Sequence, residues 1–375
     1  MTFEELGLHQ DIIKALNEQN YGEPTPIQKQ AIPPLLEGRD VLGLAKTGTG
    51  KTAAFTLPIL QKLLTTPVEN NPIRALILAP TRELAIQIGE NIEKYAAHTE
   101  LQVGVMFGGI TPKRHIKVIK KEPAILVSTP GRLLEFVTNG HITLEHLEMF
   151  VLDEADQMLD DSMLKIVRNI IRQLPKRRQN ILFSATMPNE VIKLVNGILK
   201  NPVKISADAN VTTSTNVEIK QYVYHVEEPD KGAALLKWLQ EETYESVLVF
   251  VRTKTKADKI SKMINVANIR NKAIHGDKGQ SERQKALDLF KNKEIKVLIA
   301  TDVAARGIDI NKLSHVINLN IPNISETYIH RIGRTGRAGM CGTAISYCSK
   351  EEQEFLKEIE KLQGKTLENL TRSKE

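Results

Sequence analysis

Short apolar runs alternate with helix-like segments along the whole chain, and this alternation constrains the fold more than any other feature. In the first half the runs occupy 40–44, 75–78, 103–107, 124–127, 149–152 and 180–183. In the second half they occupy 246–251, 273–274, 297–300, 315–319 and 343–347. Most are too short for core helices and too continuously apolar for strands with one wet face, so they indicate buried parallel strands. The pattern predicts two α/β domains.

One segment interrupts the alternation. Residues 207–217 are small and polar and show no hydrophobic periodicity, which is typical of a flexible linker. We therefore expect an N-terminal domain over 1–206 and a C-terminal domain over 218–375. A length of 375 residues suits two domains of ordinary size.

Composition excludes several classes of protein. A hydrophobic fraction of 41% and a charged fraction of 26% exclude wholesale disorder. No run approaches the roughly 18 apolar residues of a membrane helix. The two cysteines, Cys341 and Cys348, form no CxxC motif, which disfavours a disulfide scaffold or a structural zinc site. We expect a cytoplasmic monomer, and the net charge of +6 permits a polyanionic partner without requiring one.

Polar and glycine-rich clusters follow the apolar runs and do not precede them. Such clusters follow the runs that end near 44, 78, 152, 183 and 300. In open parallel sheets, ligands bind at the carboxyl ends of the strands. The reactive groups of each domain are therefore expected on one edge of its sheet.

Residues 45–52 read AKTGTGKT between a predicted strand and a predicted helix. This is a Walker A loop with alanine in the first position, and such a loop binds phosphate through backbone N–H groups and the helix N-terminus. Lys51 is expected to reach the β- and γ-phosphates, and Thr52 to bind Mg²⁺. The alternative is a glycine turn that binds nothing, which the strand–loop–helix setting disfavours. The expected nucleotide-binding residues here are Ala45, Lys46, Thr47, Gly48, Thr49, Gly50, Lys51 and Thr52.

Two carboxylates end the apolar run 149–152. Asp153 is expected to hold Mg²⁺ through water, and Glu154 to orient and help deprotonate an attacking water. The alternative is an acidic helix N-terminus, which is stabilising by itself. The upstream Walker A loop favours the catalytic interpretation.

The tetrad DEAD at 153–156 carries a family resemblance, because the chain resembles DEAD-box ATP-dependent RNA helicases. The motifs match in order. They are PTPIQ at 24–28, PTRELA at 80–85, GG at 108–109, TPGR at 129–132, SAT at 184–186, the segment 247–254, HGDxxQxxR at 275–283, TDVAARGID at 301–309 and YIHRIGRTGR at 328–337. Asn20, Leu319 and Asn320 depart from the family pattern. The resemblance implies two RecA-like α/β domains, each a mostly parallel sheet flanked by helices, joined by a flexible linker.

The resemblance also implies a complete ATP site. Gln28 has the donors and the acceptor that suit the adenine edge. Phe3 is a candidate to stack on the base. The alternative for Phe3 is core packing with Leu6 and Ile12. Gly307 and Asp309 are expected to contact the nucleotide. Arg334 and Arg337 are candidate arginine fingers, so catalysis would require the two domains to close.

RNA contacts are expected at phosphate and ribose, which carry no sequence information, with the 2′-OH favouring RNA. The candidates are Thr81, Arg82, Gly109, Thr129, Arg132, Arg283 and Thr301. The residues implied to couple RNA to ATP are Asp156, Ser184, Thr186, His330 and Arg331. The basic stretch Lys113–Lys121 is interpreted as a solvated helix face, with an added phosphate-binding surface as the alternative.

The implied function is RNA-stimulated ATP hydrolysis coupled to local unwinding of short RNA duplexes or to remodelling of RNA–protein complexes. Two alternatives stay open: a DNA translocase, and an ATP-gated RNA clamp with little turnover. The sequence identifies neither the RNA nor any protein partner.

Overall fold

The chain divides into two compact units, Met1–Thr213 and Ser214–Glu375, in the computed structural model. The structure describes residues 2–45, 48–68, 72–159, 161–206, 219–305, 313–336 and 342–370. The predicted linker at 207–217 lies outside the described residues, so the predicted domain boundaries stay a prediction. Each unit is described separately below.

The first unit is a parallel sheet with helices on both faces. Its strands are β1 (Val41–Leu44), β2 (Ala75–Leu78), β3 (Val103–Met106), β4 (Ile125–Ser128), β5 (Met149–Leu152), β6 (Gln179–Ser184) and β7 (Val203–Ser206). Its helices are α1 (Gln10–Glu18), α2 (Pro26–Leu36), α3 (Lys51–Thr65), α4 (Arg82–Tyr95), α5 (Pro112–Ile119), α6 (Pro130–Thr138), α7 (Asp161–Gln173) and α8 (Asn189–Ile198). The strand order is β3-β4-β2-β5-β6-β1-β7, and every described pair is parallel.

Alternate side chains of each strand enter opposite cores. In β2, Ala75 and Ile77 belong to the core beneath α1–α4, whereas Leu76 and Leu78 belong to the core beneath α6–α8. Burial on both faces explains why the strands are continuous apolar runs. Close packing also explains Gly43 in β1, because an added Cβ there would overlap the buried ring of Phe183.

The second unit repeats this architecture. Its strands are β8 (Ile219–His225), β9 (Val247–Phe250), β10 (Asn271–Ile274), β11 (Val297–Ala300), β12 (His315–Asn318), β13 (Gly342–Cys348) and β14 (Glu368–Asn369). Its helices are α9 (Lys231–Glu241), α10 (Lys254–Val266), α11 (Gln280–Lys291), α12 (Asp302–Ala305), α13 (Ser325–Ile332) and α14 (Gln353–Gln363). The parallel strand order is β10-β11-β9-β12-β13-β8-β14.

A buried ion pair ties the ends of the second unit together. The ammonium of Lys231, at the start of α9, is fully buried and pairs with Glu352 just before α14 and with Glu228 at 3.1 Å. Glu352 also accepts from Arg252 at 2.9 Å. A buried charge is tolerated only when it is paired, so this network fixes the last helix onto the sheet.

The structure confirms the predicted α/β class and the two mostly parallel sheets. Three strands were not predicted: β7, β8 and β14, which are short or half-exposed and lack a continuous apolar run. Within the described part of the chain, no helix has both the length and the apolar character needed to cross a bilayer.

Gly43→Ala tests the packing of the first sheet. Overlap with Phe183 should lower the free energy of unfolding of the first unit by about 1–3 kcal/mol, as overpacking does. Gly197→Ala in α8 is the matched control, since its Cβ would meet nothing within 4 Å and should stabilise the helix by about 0.5–1 kcal/mol. Hydrogen exchange of β1 and β6 peptides during urea titration measures both. Equal effects of the two changes would contradict the packing.

Candidate active site

A phosphate-binding type of loop joins β1 to α3. Ala45 is buried directly after β1, and Gly48 and Gly50 have left-handed backbones with φ of 86° and 94°. Gly50 occupies the N-cap of α3, and Lys51 is the first residue of that helix. The chain thus reverses tightly at the carboxyl edge of the sheet and presents a helix N-terminus, which favours anions. Lys46 and Thr47 lie outside the described residues.

Lys51 is a buried cation with an incomplete set of partners. Its side chain is 6% exposed, and its Nζ lies 3.9 Å from Oδ1 of Asp153. Among the described residues, Nζ makes no hydrogen bond. An ammonium has three donors, and leaving them unsatisfied in a buried position is costly. The geometry therefore suits an anionic ligand that supplies the missing acceptors.

Of the two acidic residues after β5, Asp153 faces this lysine. Asp153 is buried, and its Oδ1 accepts the backbone N–H of Glu154 at 2.9 Å. Burial raises the pKa of Asp153 to about 6, an effect that the charge of Lys51 opposes and that of Glu154 reinforces. The carboxylate thus lies in a dry site that a further cation would stabilise in its charged form.

Glu154 is held in an unusual conformation. Its backbone is left-handed, with φ of 52°, which is unfavourable for a residue other than glycine. One carboxylate oxygen, Oε2, accepts from Nε2 of Gln157 at 2.6 Å. The strain and this bond together fix the direction of a buried carboxylate beside Asp153.

The segment around Gln28 braces the phosphate loop. Gln28 is 1% exposed, and its Oε1 accepts from the Thr25 N–H at 2.8 Å as part of a capping box at the start of α2. Its Nε2 donates to the Gly50 carbonyl at 3.1 Å, and Thr25 Oγ1 donates to the Thr49 carbonyl at 2.9 Å. The sequence did not reveal this brace. The adenine contact of Gln28 stays a prediction.

Phe3 lies in the hydrophobic core of the first unit. It is 3% exposed and belongs to the same core cluster as Leu6 and Ile12, with its ring centroid 6.4 Å from that of Tyr21. Core packing of Phe3 is thus observed, and its contact with the adenine stays a prediction.

The DEAD and SAT segments are joined by hydrogen bonds. Asp156 Oδ2 accepts from both the N–H and the hydroxyl of Thr186 at 2.9 Å. Ser184 Oγ accepts from the Asp156 N–H at 3.3 Å and donates to the Thr186 carbonyl at 2.7 Å. The structure thus brings together three of the residues expected to couple the two ligands.

Residues predicted to contact RNA in the first unit gather at the other end of the same sheet edge. They follow β2, β4 and β3, whereas the phosphate loop, Asp153 and Ser184 belong to β1, β5 and β6. Thr81 caps α4, its hydroxyl accepting from Leu84 N–H at 3.3 Å. Arg82 lies against Gly109, where φ is 87° and an added Cβ would overlap the guanidinium. Thr129 precedes α6.

Two buried side chains fix the turn 107–110. Arg132 is 9% exposed and donates to the carbonyls of Phe107 at 3.3 Å and Ile110 at 2.8 Å, and to both oxygens of Glu135 at 3.0 Å. His115 Nε2 accepts from the Phe107 N–H at 3.3 Å. Arg132 therefore braces this turn, and its phosphate contact stays a prediction. Nothing in the sequence pointed to His115 beyond its place among basic residues.

In the second unit, a buried arginine likewise forms its hydrogen bonds within its own unit. Arg331 donates to both oxygens of Asp302 at 2.6 and 2.7 Å, to Asn318 Oδ1 at 3.1 Å and to the Asn320 carbonyl at 2.7 Å. Arg334 is also buried. The coupling roles of Arg331 and half-buried His330 and the catalytic role of Arg334 stay predictions.

The remaining candidates of the second unit follow β10 and β11 at the carboxyl edge. Arg283 is buried and donates to the Ala304 carbonyl at 3.4 Å. Thr301 is buried directly after β11. Gly307, Asp309 and Arg337 lie outside the described residues.

Comparison with known proteins identifies clear relatives. The family model for DEAD/DEAH box helicases matches residues 25–195, and the model for the helicase conserved C-terminal domain matches residues 230–339. The chain is 40% identical to DEAD-box ATP-dependent RNA helicase CshA of Geobacillus kaustophilus, over 98% of this chain and 78% of the relative. It is 42% identical to DEAD-box ATP-dependent RNA helicase RhpA of Helicobacter pylori, over 96% of this chain and 72% of the relative.

Solved structures of related proteins also match this chain over nearly its full length. The structure of S. cerevisiae Dbp5 bound to RNA and ADP BeF3 matches with a TM-score of 0.86 at 33% identity, covering 98% of this chain and 95% of that one. DEAD-box helicase Mss116 bound to ssRNA and UDP-BeF matches with a TM-score of 0.86 at 28% identity, covering 99% of this chain and 80% of that one. The predicted pair of RecA-like domains is thereby confirmed.

His115 provides a test of the braced turn. His115→Gln keeps a hydrogen-bond acceptor for the Phe107 N–H, and His115→Leu removes it. Hydrogen exchange of a peptide spanning 107–110 should therefore be faster in the leucine variant and close to wild type in the glutamine variant. Equal protection in all three proteins would contradict the brace.

The pH dependence of stability gives an independent readout of the same residue. Burial, with the nearby charge of Arg132, lowers the pKa of His115 from 6.5 to about 4. Because the folded pKa lies below the ordinary one, the folded state resists protonation and stability falls as the pH drops from about 6.5 towards 4. In urea titrations at pH 7 and pH 5, the free energy of unfolding of His115→Gln should therefore fall less between the two pH values than that of the wild type.

Proposed function

We propose that this chain, which belongs to the DEAD-box family of ATP-dependent RNA helicases, couples RNA-stimulated ATP hydrolysis to local unwinding of short RNA duplexes or remodelling of RNA–protein complexes. Family membership confirms the motif-based prediction of an ATP-hydrolysing RNA helicase. The ligands bound by the relatives are properties of those proteins. For this chain, RNA binding through the residues named above is the proposal.

One observation carries the proposal. The buried ammonium of Lys51 has no hydrogen bond among the described residues and lies 3.9 Å from Asp153, and the buried Glu154 directly follows Asp153 in the chain. A cation with open donors beside two carboxylates, at a helix N-terminus, is the arrangement that phosphoryl transfer to water requires. We assign Lys51 to the phosphate oxygens and Glu154 to the orientation and deprotonation of the water.

We propose that Thr52 and Asp153 hold Mg²⁺ with the nucleotide. Among the described residues, no cluster of three or more His, Cys, Asp or Glu could hold a metal. Mg²⁺ in nucleotide sites needs no such cluster, because it binds one or two protein oxygens, the phosphates and water. The raised pKa of buried Asp153 fits this assignment. When bound, the ion would neutralise charge on the phosphates.

The order of strands supports coupling between the two ligands. Asp153 follows β5 and Arg82 follows β2, and these strands are direct neighbours, about 4.8 Å apart. On the other side of β5, Asp156 is bonded to Thr186 after β6. The nucleotide site is therefore separated from the first candidate RNA loop by one strand spacing, and its carboxylate segment is hydrogen-bonded to the Ser184–Thr186 segment on the other side.

The proposed RNA contacts are to the backbone. Hydroxyls, glycine backbone and arginines at Thr81, Gly109 and Arg82 suit phosphate and ribose, so we expect little sequence preference and a preference for RNA through the 2′-OH. No observation favours the DNA translocase or the slow clamp. The predicted cytoplasmic location and monomeric state stay predictions.

ATP hydrolysis measured with RNA, with DNA of the same length and without nucleic acid tests the function. RNA should stimulate turnover and DNA should not. Lys51→Ala should lower kcat/KM about 100-fold or more, because a fixed positive charge on the phosphates is lost. Equal stimulation by DNA would favour the translocase, and wild-type rates for Lys51→Ala would remove the phosphate site.

Glu154→Gln tests the role of the carboxylate. The amide has the same shape and still accepts a hydrogen bond, but it cannot take a proton at neutral pH. Turnover should fall about 10²–10⁴-fold, while the binding of ATP and RNA is retained, measured by equilibrium titration. Exposed Glu93 on α4 offers the matched control Glu93→Gln. Undiminished turnover of Glu154→Gln would rule out this base.

A further inference from the structure

Helix α5 and the turn that follows it carry a one-sided basic surface, which we call the α5 basic face. It consists of the exposed residues Lys113, Arg114, Lys117, Lys120 and Lys121. At 3.6 residues per turn these five positions fall within an arc of about 120°. The opposite side contains buried His115 and the half-buried Ile116 and Ile119, which pack against the core.

Within the part of the chain that the structure describes, no acidic side chain neutralises the α5 basic face. Among the described residues, no ion pair or side-chain hydrogen bond involves any of its five cations. The one acid in the stretch 111–122 is Glu122. By contrast, Lys254 and Lys256 on α10 pair with Asp277 and Glu228. Five neighbouring cations repel one another, and a polyanion would relieve that repulsion.

The position of this face points to one polyanion. The first unit's candidate RNA contacts follow β2, β4 and β3, and β3 is the edge strand of the sheet. An RNA strand that crosses these three loops leaves the sheet at the turn 107–110. Helix α5 begins directly after that turn, and from Lys113 to Lys121 it extends about 12 Å along the side of the unit.

We propose that the α5 basic face binds the phosphate backbone of single-stranded RNA that continues past the Gly108–Gly109 turn. This inference rests on the proposed function. Flexible lysines contact phosphates without reading bases, so the face adds affinity for longer strands and adds no sequence preference. It replaces the interpretation of a solvated helix face, because these cations have no partner among the described residues and lie next to the candidate RNA contacts.

The test compares two triple variants with the same change in charge. The first is Lys113→Gln, Lys117→Gln and Lys121→Gln, since glutamine preserves helix propensity. The matched control is Lys176→Gln, Arg177→Gln and Lys200→Gln, three exposed residues that precede β6 and β7 at the amino edge of the same sheet. RNA affinity is measured by fluorescence anisotropy with a non-hydrolysable ATP analogue and oligouridylates of about 5 to 20 nucleotides.

The expected result is a loss confined to long RNA. Wild type and control should bind more tightly as the strand lengthens, and the α5 variant should lose that gain while binding the shortest strand like wild type. Each lost phosphate contact lowers the salt slope by about 0.7 for a single strand, so three lower it by about 2. Between 50 and 200 mM salt, wild type should then lose about 20-fold more affinity for long RNA than the variant.

The outcomes separate this inference from the function. RNA-stimulated ATPase of the wild type with short RNA tests the function alone, and a wild type that binds no RNA removes both. If short RNA stimulates but the α5 variant keeps the length-dependent gain and the wild-type salt slope, the inference is overturned. A loss of equal size in the control variant would also overturn it, because the effect would then be net charge. Binding of an acidic protein with unchanged RNA affinity would assign the face to a different partner.

Discussion

The candidate active site of the first unit is built around a buried charge pair that no described side chain completes. Lys51 and Asp153 lie 3.9 Å apart, both buried, and the lysine has no hydrogen bond among the described residues. Desolvated charges are unfavourable unless attraction and hydrogen bonds compensate. The surroundings nonetheless hold the pair in place. Gln28 donates a hydrogen bond to the Gly50 carbonyl beside Lys51, and the left-handed backbone of Glu154 fixes the chain after Asp153. A site built this way is completed by a ligand with negative charge and acceptors, which a nucleotide phosphate provides.

Strand order then determines what this site can influence. Because β5 lies between β2 and β6, the carboxylates have a candidate RNA loop on one side and the Ser184–Thr186 segment on the other. Asp156 bonds to Thr186 through two hydrogen bonds to one oxygen, so displacement of either segment is transmitted to the other. Coupling inside the unit thus needs no long pathway, since the loops involved follow adjacent strands.

The fold could be predicted wherever a strand is buried on both faces. Runs such as Ala75–Leu78 and Val297–Ala300 are continuous because neighbouring side chains enter opposite cores. The strand β8 was missed because its side chains are mostly half-exposed, and β14 because it has two residues. In the site, the motif pattern predicted that Asp156, Ser184 and Thr186 belong together. It did not predict that Gln28 and Arg331 are bonded to the protein itself, because residue type does not show which partner satisfies a donor.

This distinction divides the basic residues into two groups. Arg132 and Arg331 are buried and hydrogen-bonded to backbone carbonyls and carboxylates. Their planar guanidinium donors therefore fix the loops of their own units. The lysines of the α5 basic face are exposed and without partners among the described residues, so their charge is available to a ligand. Each side chain in the two groups carries a single positive formal charge, and both groups lie next to candidate RNA loops. Net charge and motif matching therefore do not show which basic residues are already hydrogen-bonded within the protein, whereas the geometry of the hydrogen bonds does.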